Sequence, residues 1–278
     1  MDDSTLHARR RAFLDLHHQD GPFLLGNAWD AGSARLLAAV GYPALATTSS
    51  GAAMRTGRLD YQIDKDTALA AGSELAAAVD VPVSVDFEDG FGADPDAVAE
   101  NVAELAGTGV AGCSIEDYTR DVDRPIYDIG AAVERVTAAA ESAHAGPGPL
   151  VLTARTELLL HGAGGLDDVI DRLQRYQEAG ADVLFAPGLH SADDIAAVVQ
   201  AVELPVSVMA LPGSPTVPAL AALGVKRVSL GAWFAYAALR GLHTAALEVI
   251  EHGTFEFTSG MSNVSKLTKK AFGAWRVA

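Results

Sequence analysis

Asp86, Glu88 and Asp89 fall within four residues in the stretch VPVSVDFEDGFG, at the end of the apolar run that begins at Val81. Carboxylates packed this closely repel one another unless a positive charge sits between them. A hard divalent cation suits them, because Mg²⁺ takes oxygen ligands and keeps several of its waters. The competing reading is an acidic loop in solvent.

Further reactive side chains stand at the ends of other apolar runs. Glu116 follows GCSI, and Arg155 closes VLTAR. Thr48, Ser49 and Ser50 follow ALAT. Asp86, Glu88 and Glu116 are expected to ligate the metal, directly or through its waters. Alternatively, Glu116 pairs with Arg155. Buried arginine needs an anionic partner, and its planar fork fits a substrate carboxylate or phosphonate. The alternative for Arg155 is a structural ion pair with Glu157 or Glu116. Thr48, Ser49 and Ser50 offer hydroxyls and N–H groups to a developing oxyanion, unless they form an ordinary turn. Together these parts describe a metal-held 2-oxo or 2-hydroxy carboxylate and an enolate formed when the neighbouring bond breaks. No strand end carries a lysine for an imine mechanism, since Lys226 opens its strand at the opposite end.

The elements that must position these residues read as eight strand-then-helix units. Apolar runs start at Phe23, Ala44, Val81, Gly112, Leu150, Asp182, Leu204 and Lys226. Helical patterns follow at about 31–42, 65–79, 95–107, 128–144, 166–179, 191–202, 216–223 and 232–251. Strands apolar on both faces belong in a covered parallel sheet. Eight units predict an α/β (β/α)₈ TIM barrel over about 22–251, with an extra N-terminal helix over 4–18. An open doubly wound sheet is the rival, but GNAWDAGSA lacks its Gly-rich fingerprint. Residues 1–278 read as a single domain. A helical tail over about 252–278, including LTKKAFGAW, would pack on the barrel or contact another subunit. Barrel sites gather at the C-terminal strand ends. There the polar residues crowd strands one to five, and Asp86 and Glu88 share an inward parity that Asp89 lacks. Asp89 is expected to face solvent or to cap the next turn.

The chain carries 36 acidic and 20 basic residues, a net charge of −16. That balance argues against nucleic-acid and anionic-membrane partners. One cysteine, Cys113, excludes an intrachain disulfide. No signal-like or membrane-length apolar run is present, so a cytoplasmic protein is expected.

The stretches NAWDAGSARLLAAVGYPALATTSSG, RLDYQ, VDFEDGFG, SIED, TARTE and AGADVLF resemble the isocitrate lyase / phosphoenolpyruvate mutase superfamily, over most of residues 20–250. The resemblance implies a Mg²⁺-dependent barrel, with Mn²⁺ as a substitute, that makes or breaks C–C or P–C bonds beside an enolpyruvate. It implies a homotetramer or homodimer with an exchanged C-terminal helix. Asp86 then stands as the direct metal ligand, with Glu88 and Glu116 as further acids. Asp60, in GRLD, contacts the metal's waters. Thr48, Ser49, Ser50 and Arg155 stand at the substrate positions.

The departures narrow the expectation. The lyases' K-[KR]-C-G-H loop is replaced by YTRDVDRPIYD, residues 118–128, without cysteine or histidine. Tyr118 or Arg120 is this loop's own acid or anion clamp, unless the loop only excludes water. The expected function is a Mg²⁺-dependent lyase cleaving a C–C bond of a small 2-oxo or 2-hydroxy dicarboxylate through a metal-bound enolate, as an oxaloacetate decarboxylase does. Asp60, Arg155 and Tyr118 are its catalytic candidates. The alternatives are P–C chemistry on a phosphonopyruvate-like acid and a non-catalytic carboxylate-binding barrel.

Overall fold

The computed structural model describes residues 2–273. Eight parallel strands close into a barrel in chain order: β1 Phe23–Asn27, β2 Ala44–Ala46, β3 Val83–Asp86, β4 Gly112–Glu116, β5 Val151–Arg155, β6 Val183–Phe185, β7 Val206–Met209 and β8 Arg227–Ser229. Closure comes from β8 pairing with β1, Arg227 opposite Phe23. The helices are α1 Asp3–His18, α2 Ala31–Val40, α3 Ser49–Arg55, α4 Lys65–Ala78, α5 Pro95–Ala106, α6 Ile129–Ala143, α7 Leu166–Glu178, α8 Ala192–Ala201, α9 Val217–Ala222, α10 Trp233–Leu247 and α11 Met261–Gly273. The α/β TIM-barrel class expected from the sequence is the observed one.

Local chemistry sets the helix starts. Asp30 accepts from Ser33 N at 2.7 Å at the head of α2, and the Ser33 hydroxyl returns a bond from the Asp30 N–H. Asp94 precedes Pro95 at α5, which places a cap and a prearranged φ together. Gly41 ends α2 at φ +109, a conformation that costs glycine little.

The largest apolar cluster lies between the sheet and its helices. A second cluster, built on Phe13, Phe23, Leu25, Val151 and Val183, fills the N-terminal floor of the barrel. There α1 acts as a stopper. Phe13 and His17 meet Phe23 edge-on, with His17 centred 4.9 Å from each ring. Gly112 allows this approach, since a Cβ there would lie 2.5 Å from the Val151 carbonyl and 2.9 Å from Phe13.

Two local expectations change, and the tail takes one of its two expected places. The strand read through Ser50 stops at Ala46, and Thr48 becomes the N-cap of α3, a helix absent from the sequence reading. The last barrel helix ends at Leu247 and passes into a π turn, Glu248–His252. The tail helix α11 packs on α2; the residues after Gly273 in LTKKAFGAW lie outside the described part. Among the described residues, no helix is long and apolar enough to cross a membrane.

Candidate active site at the barrel mouth

Acidic side chains collect where β2 to β5 end. Asp86, the last residue of β3, is anchored on both sides by the segment after β2. Its N–H donates to Thr47 Oγ1 at 2.9 Å, and its Oδ2 accepts from Ser49 N at 3.0 Å. The Ser49 hydroxyl in turn donates to Asp60 Oδ1 at 2.9 Å. Asp60, Ser49 and Asp86 are therefore one connected unit, although 37 residues separate Ser49 from Asp86. Thr48 and Ser50 are buried beside it.

Arg155, the last residue of β5, sits among the acids. Its Nε lies 3.2 Å from Glu116 Oε2 and in contact with Glu157 Oε1, while Nη1 lies 3.6 Å from Asp86 Oδ1. The ion-pair arrangement is the one present. One guanidinium serves three carboxylates, which leaves negative charge over. Asp86 Oδ1, Glu116 Oε1, Glu157 Oε2 and both Glu88 oxygens are buried without a hydrogen bond among the described residues.

Glu88 reaches the site by a backbone excursion, not by strand parity. The strand ends at Asp86, and Glu88 takes φ +44. Such a left-handed conformation at a non-glycine residue costs on the order of 1–3 kcal/mol. Glu88 Oε2 forms an ion pair with Arg120 Nη2 at 2.8 Å. The same nitrogen donates to Asp89 Oδ1 at 2.9 Å. Asp89 is thus not a solvent residue. It is 7% exposed and held by Arg120, Arg135 and the Tyr127 hydroxyl. It does cap the next turn, accepting from Phe91 N at 3.1 Å.

Arg120 belongs to a pinched loop over the site, residues 118–127. Tyr118 and Ile126 form an antiparallel bridge, and Thr119 N donates to Pro125 O at 2.8 Å. Asp117 fixes the loop's base. It accepts from Glu157 N at 2.7 Å, from the Tyr176 hydroxyl at 2.7 Å and from Arg172 at 3.2 Å. Tyr118 stacks on His161, centroids 4.1 Å apart at 8°, and lies 4.7 Å from the Tyr61 ring. Arg124 points away and is exposed.

Burial dominates the electrostatics. It pushes Glu88 up to about 8, against the pull of Arg120. It raises Glu116 well above the usual carboxylate range, against Arg155, with Glu157 and Asp86 adding to the rise. Asp60 is raised by burial and by Asp86. A cation bound among these acids would act against the rise and favour their charged forms. Among the described residues, no three His, Cys, Asp or Glu side chains converge closely enough to hold a bare metal ion. The unpaired oxygens therefore fit a cation bound by one carboxylate directly and by the others through water.

The sequence reading named Asp60, Asp86, Glu88, Glu116, Arg155, Tyr118 and the Thr48–Ser50 segment, and all stand around this mouth. It passed over Tyr61 and His161, which flank Tyr118, and gave Glu157 no role beyond a partner for Arg155. Tyr61 was visible in RLDYQ, directly after Asp60; nothing local marks His161.

The family model described as phosphoenolpyruvate phosphomutase matches residues 13–250. The uncharacterized protein Rv1998c of Mycobacterium tuberculosis (strain H37Rv) is 35% identical over 236 residues, 84% of this chain and 86% of the relative. The oxaloacetate decarboxylase of Paraburkholderia xenovorans (strain LB400) is 29% identical over 279 residues, 97% of this chain and 90% of the relative. A crystal structure from Burkholderia cenocepacia J2315, provisionally named a lyase/mutase, superposes with a TM-score of 0.94 at 47% identity, covering 98% of both chains. With the family's motifs assembled at one end of the family's barrel, the chain belongs to the isocitrate lyase / phosphoenolpyruvate mutase superfamily.

Proposed function

We propose that the protein is a divalent-metal-dependent carbon–carbon lyase, using Mg²⁺ or in its place Mn²⁺, on a small 2-oxo or 2-hydroxy dicarboxylate of the oxaloacetate type. The observation that carries this reading is the set of buried carboxylate oxygens that accept no hydrogen bond among the described residues: Asp86 Oδ1, Glu88 Oε1 and Glu116 Oε1. Asp86 would hold the metal directly, with Glu88, Glu116 and Asp60 reached through water. Bound there, the cation supplies a Lewis acid to the substrate's 2-oxo group. The relative named an oxaloacetate decarboxylase supports this choice of substrate.

The chain's own groups do the rest. Arg155 exchanges an acid partner for the substrate carboxylate, which its fork grips at two oxygens. Thr48, Ser49 and Ser50 orient the 2-oxo end. When the C3–C4 bond breaks, its electron pair moves into conjugation with the C2 oxygen and C4 leaves as carbon dioxide. C3 then takes a proton from Tyr118 or from water, giving pyruvate. The Tyr61–Tyr118–His161 stack excludes bulk water during this step.

The family model's description favours a second reading, P–C bond chemistry on a phosphonopyruvate-like acid. One experiment separates the two. The protein is incubated with Mg²⁺ and oxaloacetate, phosphonopyruvate, methylisocitrate or substituted malates, and products are followed by NMR. Metal-dependent pyruvate from oxaloacetate is the expected result. Phosphate or phosphoenolpyruvate from phosphonopyruvate would replace it with the second reading. Tight carboxylate binding without turnover would leave a non-catalytic barrel.

Assembly into a homotetramer or homodimer in the cytoplasm belongs to the same proposal. Trp233, Tyr236, Leu239 and Leu242 leave an exposed apolar face on α10. Sedimentation at micromolar concentration tests it, and a monomer would refute it.

A further inference from the structure

The interior of the barrel, below the mouth, holds a positive charge with no opposite charge beside it. Arg227 stands on β8 and is 4% exposed. Its Nε donates to Ser207 Oγ at 2.8 Å, and its Nη1 donates to Thr153 Oγ1 at 3.0 Å. Nη1 also lies 3.3 Å from His17 Nε2. The tautomer of His17 follows from its other contact. Nδ1 lies 2.8 Å from the Phe13 carbonyl, which can only accept, so Nδ1 carries the proton and Nε2 accepts from Arg227. Every partner of Arg227 is therefore neutral. Among the described residues no carboxylate lies within 4.0 Å of it, and Nη2 has no acceptor.

This is a costly arrangement. A buried charge without a counter-charge is far more expensive than a buried hydrogen bond is favourable. Burial pulls Arg227 down to about 9, which still leaves it charged at neutral pH. The acids of the mouth make no ion pair with it among the described residues; Asp86, on the cavity's rim, pairs with Arg155 instead.

The space beside Arg227 is open and polar. A cavity of about 50 Å³ runs between Arg227 and the rim formed by Asp86 and Arg155. Ser84, Ser114 and Ser229 line it, and their hydroxyls make no hydrogen bond among the described residues. A water needs roughly 10–15 Å³ of such space. The cavity thus has room for one small ion with a companion water, and not for a metabolite bearing several carboxylates.

We propose that this cavity is a binding site for a small monovalent inorganic anion of halide size, held by Arg227 and the hydroxyls of Ser84, Ser114 and Ser229. The anion neutralises the guanidinium inside the barrel and joins the strands that carry these residues, β3, β4 and β8. The anion site lies on the Arg227 side of the cavity, and Asp86 and Arg155 of the mouth form its other rim.

Two measurements test it on the full chain. Crystals grown in bromide should show an anomalous peak inside the barrel beside the Arg227 guanidinium. Thermal unfolding at fixed ionic strength should show a higher Tm in roughly 300 mM chloride than in roughly 300 mM gluconate, which is too large to enter, by about 3 °C or more. Arg227→Met should remove that difference. Ordered waters without a halide peak, together with equal Tm in the two salts, would overturn the proposal. If Arg227→Met fails to fold, the bromide crystal of the unaltered protein decides alone.

Discussion

The two ends of the barrel interior are charged in opposite senses, and each is left incomplete. At the mouth, carboxylates outnumber guanidiniums and several acceptor oxygens have no donor. Nearer the floor, a guanidinium has only neutral partners and a nitrogen without an acceptor. The difference lies in the company each charge keeps. The mouth is lined by the 118–127 hairpin and by the segment from Thr48 to Asp60, which bring polar side chains over the strand ends. The floor is closed by α1 and an apolar layer of the strands. Incompleteness at the mouth therefore points to chemistry, and incompleteness below it to a fixed ion.

The comparison can be broken at several points. The largest effect is expected at Asp86. Asp86→Ala should cost metal-dependent turnover about 1000-fold or more, because a Lewis acid is worth several kcal/mol and each 1.4 kcal/mol is tenfold. Full activity would remove Asp86 from the metal site. Next comes Arg155→Lys, which keeps the charge but loses the fork. A rise in KM of about 10- to 100-fold with folding retained is expected; an unchanged KM would make Arg155 purely an ion-pair partner of the mouth acids.

Arg120→Ala tests whether the hairpin is latched by the acids beneath it. Amide exchange across residues 118–127 should speed up by about 10-fold, as an ion pair to buried Glu88 is lost. Unaltered protection would mean that the Asp117 network alone holds the loop.

The last effect is a pH slope, spread over several pH units, that belongs to the floor. Burial and the neighbouring Arg227 lower His17 from its usual 6.5 to about 3. Between those values the unfolded chain takes up a proton that the folded chain refuses. Stability therefore falls as pH drops below about 6.5, by about 1.4 kcal/mol per unit until pH 3 is approached. Calorimetry across this range should show one fewer proton taken up on unfolding His17→Asn than on unfolding the unaltered protein. Equal slopes would mean that acid sensitivity comes from the other groups.

Much of this was legible in the sequence, for reasons that differ by residue. The eight units were readable because buried parallel strands and amphipathic helices leave unlike patterns. Asp86, Glu116 and Arg155 were readable because a charge closing an apolar run needs a purpose. Glu88 was placed correctly on a parity argument that does not hold, since its φ breaks the strand. Asp89 caps the next turn, one of its two expected roles, but its burial was not foreseen, because the groups that bury it lie 31 and 46 residues away. Such pairings leave no local trace. Arg227 escaped notice for another reason: it opens its strand, at the end of the barrel away from the mouth, whereas Arg155 closes one. The short α3 was hidden because TTSSG suits a strand end and a turn equally well.

The stopper at the floor also has a history in time. His17 and Arg227 meet across 210 residues of chain, and β8 closes the ring against β1. As the chain emerges from the ribosome, α1 is made long before the strand that completes its socket. Phe13, His17 and Phe23 must wait with their rings exposed, or find provisional partners, until Arg227 arrives. Contacts of such separation form slowly, and partly built barrels present open strand edges meanwhile. Sealing the floor is thus expected to be a late event in folding, and the step at which a chaperone has most to offer.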